Sequence, residues 1–193
     1  MTTDASDAPE KDRQERILDA VLTLLSRHGI SGVSIRAVAA EAGVALGLVN
    51  YYFDDKTSLI RAALRRIEEH DVALVASEQG GSPEKRLKAA LRRVAAPEFL
   101  TTEYLSLRLQ LWALAQAHED FAEINATAQQ RYRAGLAELI HDARPEVSRR
   151  DCRKRAADID VVQNGMWLTA LLGLDTASMR RAVARCEEIA LGP

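Results

Sequence analysis

The sequence predicts an all-α protein of about nine helices. Apolar residues recur at the three- to four-residue spacing of a helix face along much of the 193-residue chain, and no stretch shows the alternation of a half-buried strand. Glycine and proline separate these segments. With 47% apolar and 28% charged residues, the composition is that of a globular protein with a core, which excludes disordered and fibrous classes.

Capping and breaking residues delimit the first four predicted helices. The polar, acidic residues 1–10 predict a loose tail, and the domain that follows spans residues 11–77 with its linking helix. Gly29 ends the first helix and Gly43 ends the second, since glycine accepts a left-handed conformation. Ser34 and Asp55 have short oxygen-bearing side chains that cap helix starts. The first helix is predicted to end near residue 28. The next three are predicted to cover about 34–42, 45–53 and 56–77.

A second domain is predicted over residues 82–193, after the clearest break in the chain at residues 79–83. Ser82 followed by Pro83 is a favourable helix start. The segment 103–118 is apolar on nearly every side, which predicts a helix buried on most of its surface. The helices of this domain are predicted to cover about 83–96, 103–118, 119–143, 149–172 and 175–190.

Several function classes have no support in the sequence. There is no apolar run of the length that spans a bilayer and no signal peptide, so we expect a cytoplasmic protein without a membrane partner. Cys152 and Cys186 are expected to be buried core residues. The four histidines lack metal-ligand spacing, and no nucleophile elbow or phosphate loop is present. We therefore expect no metal, no cofactor and no enzymatic activity.

Residues 34–59, SIRAVAAEAGVALGLVNYYFDDKTSL, predict a helix-turn-helix. Ala39 and Ala42 give the first helix a small inner face that a second helix can cross closely, and Gly43 permits the turn. The second helix is too short to persist alone. Packing of Tyr52 and Phe53 is expected to hold it from behind, which leaves its other face free to enter a major groove.

This segment resembles the DNA-binding domain of the tetracycline-repressor family. The similarity covers about residues 12–70. The matching residues are Ser34, Val38-Ala39, Ala42-Gly43-Val44, Gly47, Tyr51-Tyr52-Phe53, Lys56 and Leu59. Residues 11–66 carry nine Lys and Arg against six Asp and Glu, a net +3, whereas residues 103–143 carry three against six, a net −3. This distribution suits an N-terminal segment that faces phosphate.

The resemblance implies that the second short helix contacts bases and that its flanks contact phosphates. Tyr51 would place its hydroxyl on a phosphate, and Lys56 would form an anion site with the first amides of its helix. Ser34 would serve as cap and phosphate donor, and Gly47 would allow a close approach. Arg36 is either a phosphate contact or a solvated surface arginine. The predicted DNA-binding residues are Ser34, Arg36, Ala45, Leu46, Gly47, Leu48, Asn50, Tyr51 and Lys56.

The chain departs from the family pattern at the start of this helix. Ala45 stands where the family usually has Ser or Thr, Leu46 where Lys or Arg often follows, and Asn50 in place of a common Tyr. The face that contacts DNA is therefore apolar and would touch thymine methyl groups, with Asn50 bonding a base or a phosphate. The operator sequence does not follow from these residues.

The last two helices are expected to contribute either to the core or to a homodimer interface. Family resemblance favours a four-helix interface between two copies, which would place two recognition helices about 34–36 Å apart on a palindromic site. The two faces concerned are Ile159, Val162, Met166 and Ala170 on one helix, and Met179, Val183, Cys186 and Ala190 on the other.

Residues 160–176 and the pair Leu111-Trp112 resemble the subgroup typified by the choline-responsive repressor, which implies a subfamily rather than a ligand. A pocket for a small-molecule effector is expected between the middle helices, and an aromatic cage for a quaternary ammonium is one form it could take. The alternative is that the tryptophans are plain core and that Arg108 pairs with Glu103. The candidate effector residues are Tyr104, Arg108, Trp112, His118, Tyr132 and Trp167.

The resemblance implies a repressor that an effector releases from its operator. The alternative function is a helical protein-interaction module, in which Ala45, Leu46 and Leu48 would form an apolar patch for another protein. The salt dependence of the binding affinity distinguishes these two functions, because only DNA binding weakens steeply as salt is added.

Overall fold

The computed structural model describes residues 7–76, 80–173 and 175–193. In these residues there are nine α-helices and no strand, which confirms the predicted fold class. None of the described helices combines the length and apolarity needed to cross a bilayer. The helices are α1 (Asp7–Gly32), α2 (Ile35–Ala42), α3 (Leu46–Tyr52), α4 (Lys56–Ala73), α5 (Pro83–Arg93), α6 (Thr102–Ala117), α7 (Glu119–Ala143), α8 (Arg149–Leu171) and α9 (Thr176–Leu191), with a 3₁₀ turn at Pro97–Phe99.

Local chemistry sets the starts of α2 and α4 and the end of α2 where the sequence predicted them, whereas α1 continues to Gly32 rather than ending near residue 28. The Oγ of Ser34 accepts a hydrogen bond from the backbone N–H of Ala37, and Asp55 forms a capping box with Ser58. Gly29 and Gly43 have φ of 62° and 64°, a region in which a side chain would be strained. Gly29 therefore interrupts α1 three residues before its end.

The ends of two elements differ from the prediction. Helix α1 begins at Asp7, so residues 7–10 are helical rather than part of a loose tail, and residues 1–6 lie outside the described chain. Pro9 does not oppose this start, because the backbone N–H groups of the first helical turn have no internal acceptor. Helix α4 ends at Ala73 instead of near residue 77, and residues 77–79 lie outside the described chain.

The hydrophobic core consists of two clusters, and α6 belongs to both. The first cluster joins α1–α4 to one side of α6 through Leu107, Leu111 and Leu114. The second joins α5 to α9 and includes Leu105. The nearly continuous apolar surface of α6 explains this double burial. The four N-terminal helices thus share their core with α6.

Candidate functional site

Helix α3 is held from behind by its apolar residues. Val49 is fully buried and Phe53 is nearly so, while Val44 and Tyr52 pack against the same cluster. Since a seven-residue helix has little stability of its own, this packing fixes its position. The predicted support of the short helix by its own apolar side is thereby confirmed.

The opposite side of α3 faces solvent. Leu46 and Tyr51 are 43% and 74% exposed, Asn50 is exposed, and Leu48 is half-buried. We call Leu46, Asn50 and Tyr51 the α3 outer face. A Cβ placed on Gly47 would meet no described atom within 4 Å, so packing within the subunit does not require glycine there. The surface available for a groove of DNA is therefore open.

The predicted residues that flank α3 in the sequence are exposed or half-buried. Ser34 and Arg36 at the start of α2, and Ala45 before α3, are exposed. Lys56 is half-buried, and its Nζ donates a 2.6 Å hydrogen bond to the carbonyl of Ile30. Because an ammonium group has three donors, this bond leaves two for another acceptor. Lys56 thus links the start of α4 to the end of α1.

Arg108 is buried and pairs with two carboxylates of α4. It is 5% exposed, donates to Asp71, and lies 3.7 Å from an oxygen of Glu68. The expected pairing with Glu103 is wrong, because residues five apart on a helix point about 140° from each other. The Tyr104 hydroxyl also donates to Asp71, at 2.5 Å. These bonds connect α4 to α6.

Two indole rings flank the guanidinium of Arg108. Its central carbon lies 5.3 Å from the ring centre of Trp112 and 5.2 Å from that of Trp167, and these are the two tryptophans of the chain. Such distances are those of cation–π contacts. The Trp167 Nε1 also donates to the carbonyl of Val94 at 2.8 Å. We call Arg108, Glu68, Asp71, Trp112 and Trp167 the Arg108 cluster.

The structure brings together five of the six predicted effector residues. Tyr104 lies edge-on to Trp167, with ring centres 6.1 Å apart, and Tyr132 donates to Gln163 at 2.6 Å beside Arg108. His118 does not join them. It is exposed where α6 meets α7 and contacts Phe121 through its ring edge.

Sequence reasoning missed the acidic members of this site. Asp71 follows Leu64 and Ile67 and precedes Leu74 at the spacing of one helix face. A carboxylate within an otherwise apolar face of α4 was therefore the signal that could have identified Asp71. Asp160 and Gln163 on α8 complete the acidic and polar lining.

A cavity of about 30 Å³ lies beside the Arg108 cluster. Three carboxyl groups line it, from Glu68, Asp71 and Asp160, and burial raises the pKa of each. For Glu68 burial outweighs the attraction of Arg108 and raises the pKa to about 7. Oε1 of Glu68 and Nε2 of Gln163, both from buried side chains, have no hydrogen-bond partner in the described residues. The lining therefore holds more acid than base and has unused hydrogen-bonding atoms.

The pKa of Glu68 predicts a pH-dependent stability. Between about pH 4.5 and 7 the unfolded chain has released this proton while the folded chain keeps it, so folding becomes less favourable as pH rises. Relative to Glu68→Gln, the wild type should lose about 1–3 kcal/mol of unfolding free energy across that window. Urea unfolding of both proteins at pH 5 and pH 8 measures the difference. Equal pH dependence in the two proteins would contradict the shift.

The apolar faces predicted on α8 and α9 belong mainly to the core. Ile159, Met166, Cys186 and Ala190 are buried in the second cluster, and both cysteines are free. The other four residues are half-buried, namely Val162, Ala170, Met179 and Val183.

A different side of α8 is exposed and apolar. Val161 and Leu172 are 71% and 80% exposed and Leu168 is 43% exposed. A Cβ on Gly165 would meet no described atom within 4 Å. We call Val161, Gly165, Leu168 and Leu172 the α8 stripe, since their spacing places them along one side of the helix.

Two family models match the chain. Residues 17–63 match the bacterial regulatory proteins of the tetR family, and residues 83–190 match the C-terminal domain of BetI-type transcriptional repressors. The second match alone covers more than half of the chain. The HTH-type transcriptional regulator BetI of Klebsiella pneumoniae is 25% identical over 161 residues, which are 83% of each chain.

Solved structures share the fold over nearly the whole chain. A proposed transcriptional regulator from Pseudomonas aeruginosa PAO1 has a TM-score of 0.80 at 26% identity, covering 94% of this chain and 90% of that one. A proposed regulator from Saccharomonospora viridis was solved in complex with choline. It has a TM-score of 0.72 at 20% identity, and the match covers 94% of this chain and 97% of that one.

These comparisons agree with the architecture and with the predicted absence of an enzyme, since the matched families are regulators and repressors. The predicted relationship, including the subgroup, is confirmed. The chain therefore belongs to the TetR family of bacterial transcriptional regulators and carries the C-terminal domain of BetI-type repressors.

Proposed function

We propose that this regulator binds a palindromic operator as a homodimer, with α3 in the major groove, and that a small organic cation near Arg108 releases it. The observation that carries the DNA-binding part is the α3 outer face, which is exposed while Val49 and Phe53 hold the helix from behind. Repression follows if the operator overlaps a promoter.

Each member of the α3 outer face suits one kind of DNA contact. Leu46 presents a branched apolar group to a thymine methyl, and the Asn50 amide is able to bond an adenine edge or a phosphate. Tyr51, at the end of α3, offers a hydroxyl to the phosphate backbone. Ser34 and Arg36 at the start of α2, and Lys56 at the start of α4, supply further phosphate contacts. Leu46 thus contacts only bases and Tyr51 only the phosphate backbone, while Asn50 is suited to either.

Tyr51→Ala should weaken operator binding by roughly 10- to 100-fold, because a hydrogen bond to a charged group contributes about 1.5–3 kcal/mol. The side chain is 74% exposed, so the melting temperature should stay within a few degrees. Gel-shift titrations on the DNA upstream of the gene measure the affinity.

Tyr51→Phe is the matched control, since it removes the hydroxyl and keeps the ring. It should lose most of the same affinity if the hydroxyl makes the contact. Unchanged binding by both variants would remove Tyr51 from the interface.

The dependence of binding affinity on salt concentration tests the alternative of a protein-interaction module. Leu46 is an exposed leucine, but exposed polar groups at Arg36 and Asn50 lie within the same helix-turn-helix. Binding through phosphates should fall steeply and linearly on a plot of log affinity against log salt. Affinity that is insensitive to salt would favour an apolar protein contact.

The homodimer is proposed to form through the α8 stripe. Three large apolar side chains in one exposed row are unusual for a free surface, and a glycine between them lets two helices approach closely. The small residue also fits a two-fold interface, in which the same positions meet across the axis.

The effector is proposed to be a small organic cation. The cavity lining carries three carboxyl groups against Arg108, and two indole faces lie beside them, which is the chemistry that binds ammonium groups. The choline complex of the Saccharomonospora viridis protein supports this class of ligand.

Helix α4 connects the effector site to DNA. It begins at Lys56, four residues after Tyr52 ends α3, and carries Glu68 and Asp71 about 20 Å further along. A ligand that changes how these carboxylates are held is thereby able to shift a helix that shares its core cluster with α3.

Choline should quench or shift the fluorescence of Trp112 and Trp167 and reduce operator affinity at least tenfold when saturating. The control is 3,3-dimethylbutan-1-ol, which has the same shape without the charge and should do neither. Equal effects of the two compounds would show that the site does not recognise positive charge.

A further inference from the structure

We infer that the guanidinium of Arg108 occupies the position of the ligand's own charge, so that effector binding exchanges one cation for another. This inference rests on the effector site proposed above. The exchange would make Arg108 a residue that determines which ligands bind, and not only a residue that lines the pocket.

The space in the cavity supports the exchange. Its volume of about 30 Å³ matches a single water molecule, whereas pockets for organic ligands usually measure about 300–1,000 Å³. Arg108 lines this cavity, and its guanidinium carbon lies 5.3 and 5.2 Å from the two indole ring centres. A ligand larger than water therefore requires lining side chains to move, and Arg108 is the one that holds the cationic position.

The contacts that a cationic ligand needs are already made by Arg108. Its guanidinium lies within 5.3 Å of both indole ring centres and pairs with Asp71 and Glu68. A neutral or anionic ligand that displaced it would leave buried carboxylates without a counter-charge, which is costly. A second cation replaces the lost charge at the same place.

Not all hydrogen-bonding atoms of Arg108 and its partner Glu68 have a partner. The Nε of Arg108 and the Oε1 of Glu68 both lack a hydrogen-bond partner in the described residues. Displacing this guanidinium therefore breaks fewer bonds than displacing a fully paired one. The exchange also removes the two ion pairs that connect α6 to α4, while Tyr104 keeps its bond to Asp71.

The test compares cation binding to the intact dimer and to Arg108→Ala. Methylguanidinium and choline are titrated without DNA, and the fluorescence of Trp112 and Trp167 reports binding. The variant is expected to bind both cations at least tenfold more tightly than the wild type, because no internal competitor remains. Urea, which has the planar shape of guanidinium without charge, should bind neither protein.

Two further variants separate competition from misfolding. Arg108→Gln keeps much of the side chain and a donor for Asp71, and it should also bind the cations more tightly than the wild type. Arg131→Ala removes an exposed arginine that pairs with Glu69 on the same α4, and its cation affinity should stay within twofold of the wild type.

Equal affinities for the wild type and both Arg108 variants would overturn the exchange but leave the effector site standing. Absence of cation binding in every protein would overturn both the exchange and the proposed ligand class.

Discussion

Replacing Asp71 by alanine is expected to lower the free energy of unfolding by about 3–5 kcal/mol. The carboxylate is 6% exposed and accepts hydrogen bonds from both Arg108 and Tyr104. Its removal leaves the buried guanidinium with Glu68, at 3.7 Å, as its nearest ion-pair partner and deprives the Tyr104 hydroxyl of its acceptor. An uncompensated buried charge accounts for most of the cost.

Glu69→Ala is the matched control for this prediction. Glu69 lies two residues earlier on α4 and also pairs with an arginine, but the Glu69 and Arg131 side chains are 60% and 50% exposed. Exposed pairs contribute about 0–1 kcal/mol, so this variant should unfold almost like the wild type. Chemical denaturation of the dimer at one protein concentration compares them. A loss below 1 kcal/mol for Asp71→Ala would show that the buried ion pair is not structurally important.

The fold was predictable because its signals are local. Ser34 and Asp55 cap helices through their own side chains, and Gly43 ends α2 through its positive φ, so each boundary depends on a few adjacent residues. The start of α1 was less predictable, since acidic residues suit both a solvated tail and a first helical turn.

The two candidate sites differ in how much the sequence revealed. The α3 outer face follows from one short segment in which buried and exposed residues alternate with helical spacing. The Arg108 cluster depends on contacts between α4 and α6, whose residues are 37 positions apart for Arg108 and Asp71. Periodicity along one helix predicts that Arg108 is buried but does not identify a partner on another helix.

Leu168→Arg is expected to convert the dimer to a monomer and to weaken operator binding by about 10²- to 10⁴-fold. This is the factor by which two joined subunits usually bind two half-sites more tightly than one subunit binds one half-site. Leu168 is the middle large side chain of the α8 stripe, so in the proposed interface an arginine there would meet its own copy near the two-fold axis. Burying two like charges against apolar side chains opposes association, while the subunit core, to which Leu168 contributes little, stays intact.

Sedimentation velocity gives the oligomeric state of the variant, and gel shifts on whole and half operators give its affinity. The control is Leu109→Arg on α6, because Leu109 is also 43% exposed but lies outside the α8 stripe. This control should remain dimeric and bind the whole operator normally. A Leu168→Arg protein that sediments as a dimer would place the interface elsewhere. A monomeric variant with unchanged affinity for the whole operator would instead show that α3 binds its site without a second copy, and the palindromic arrangement would then be wrong.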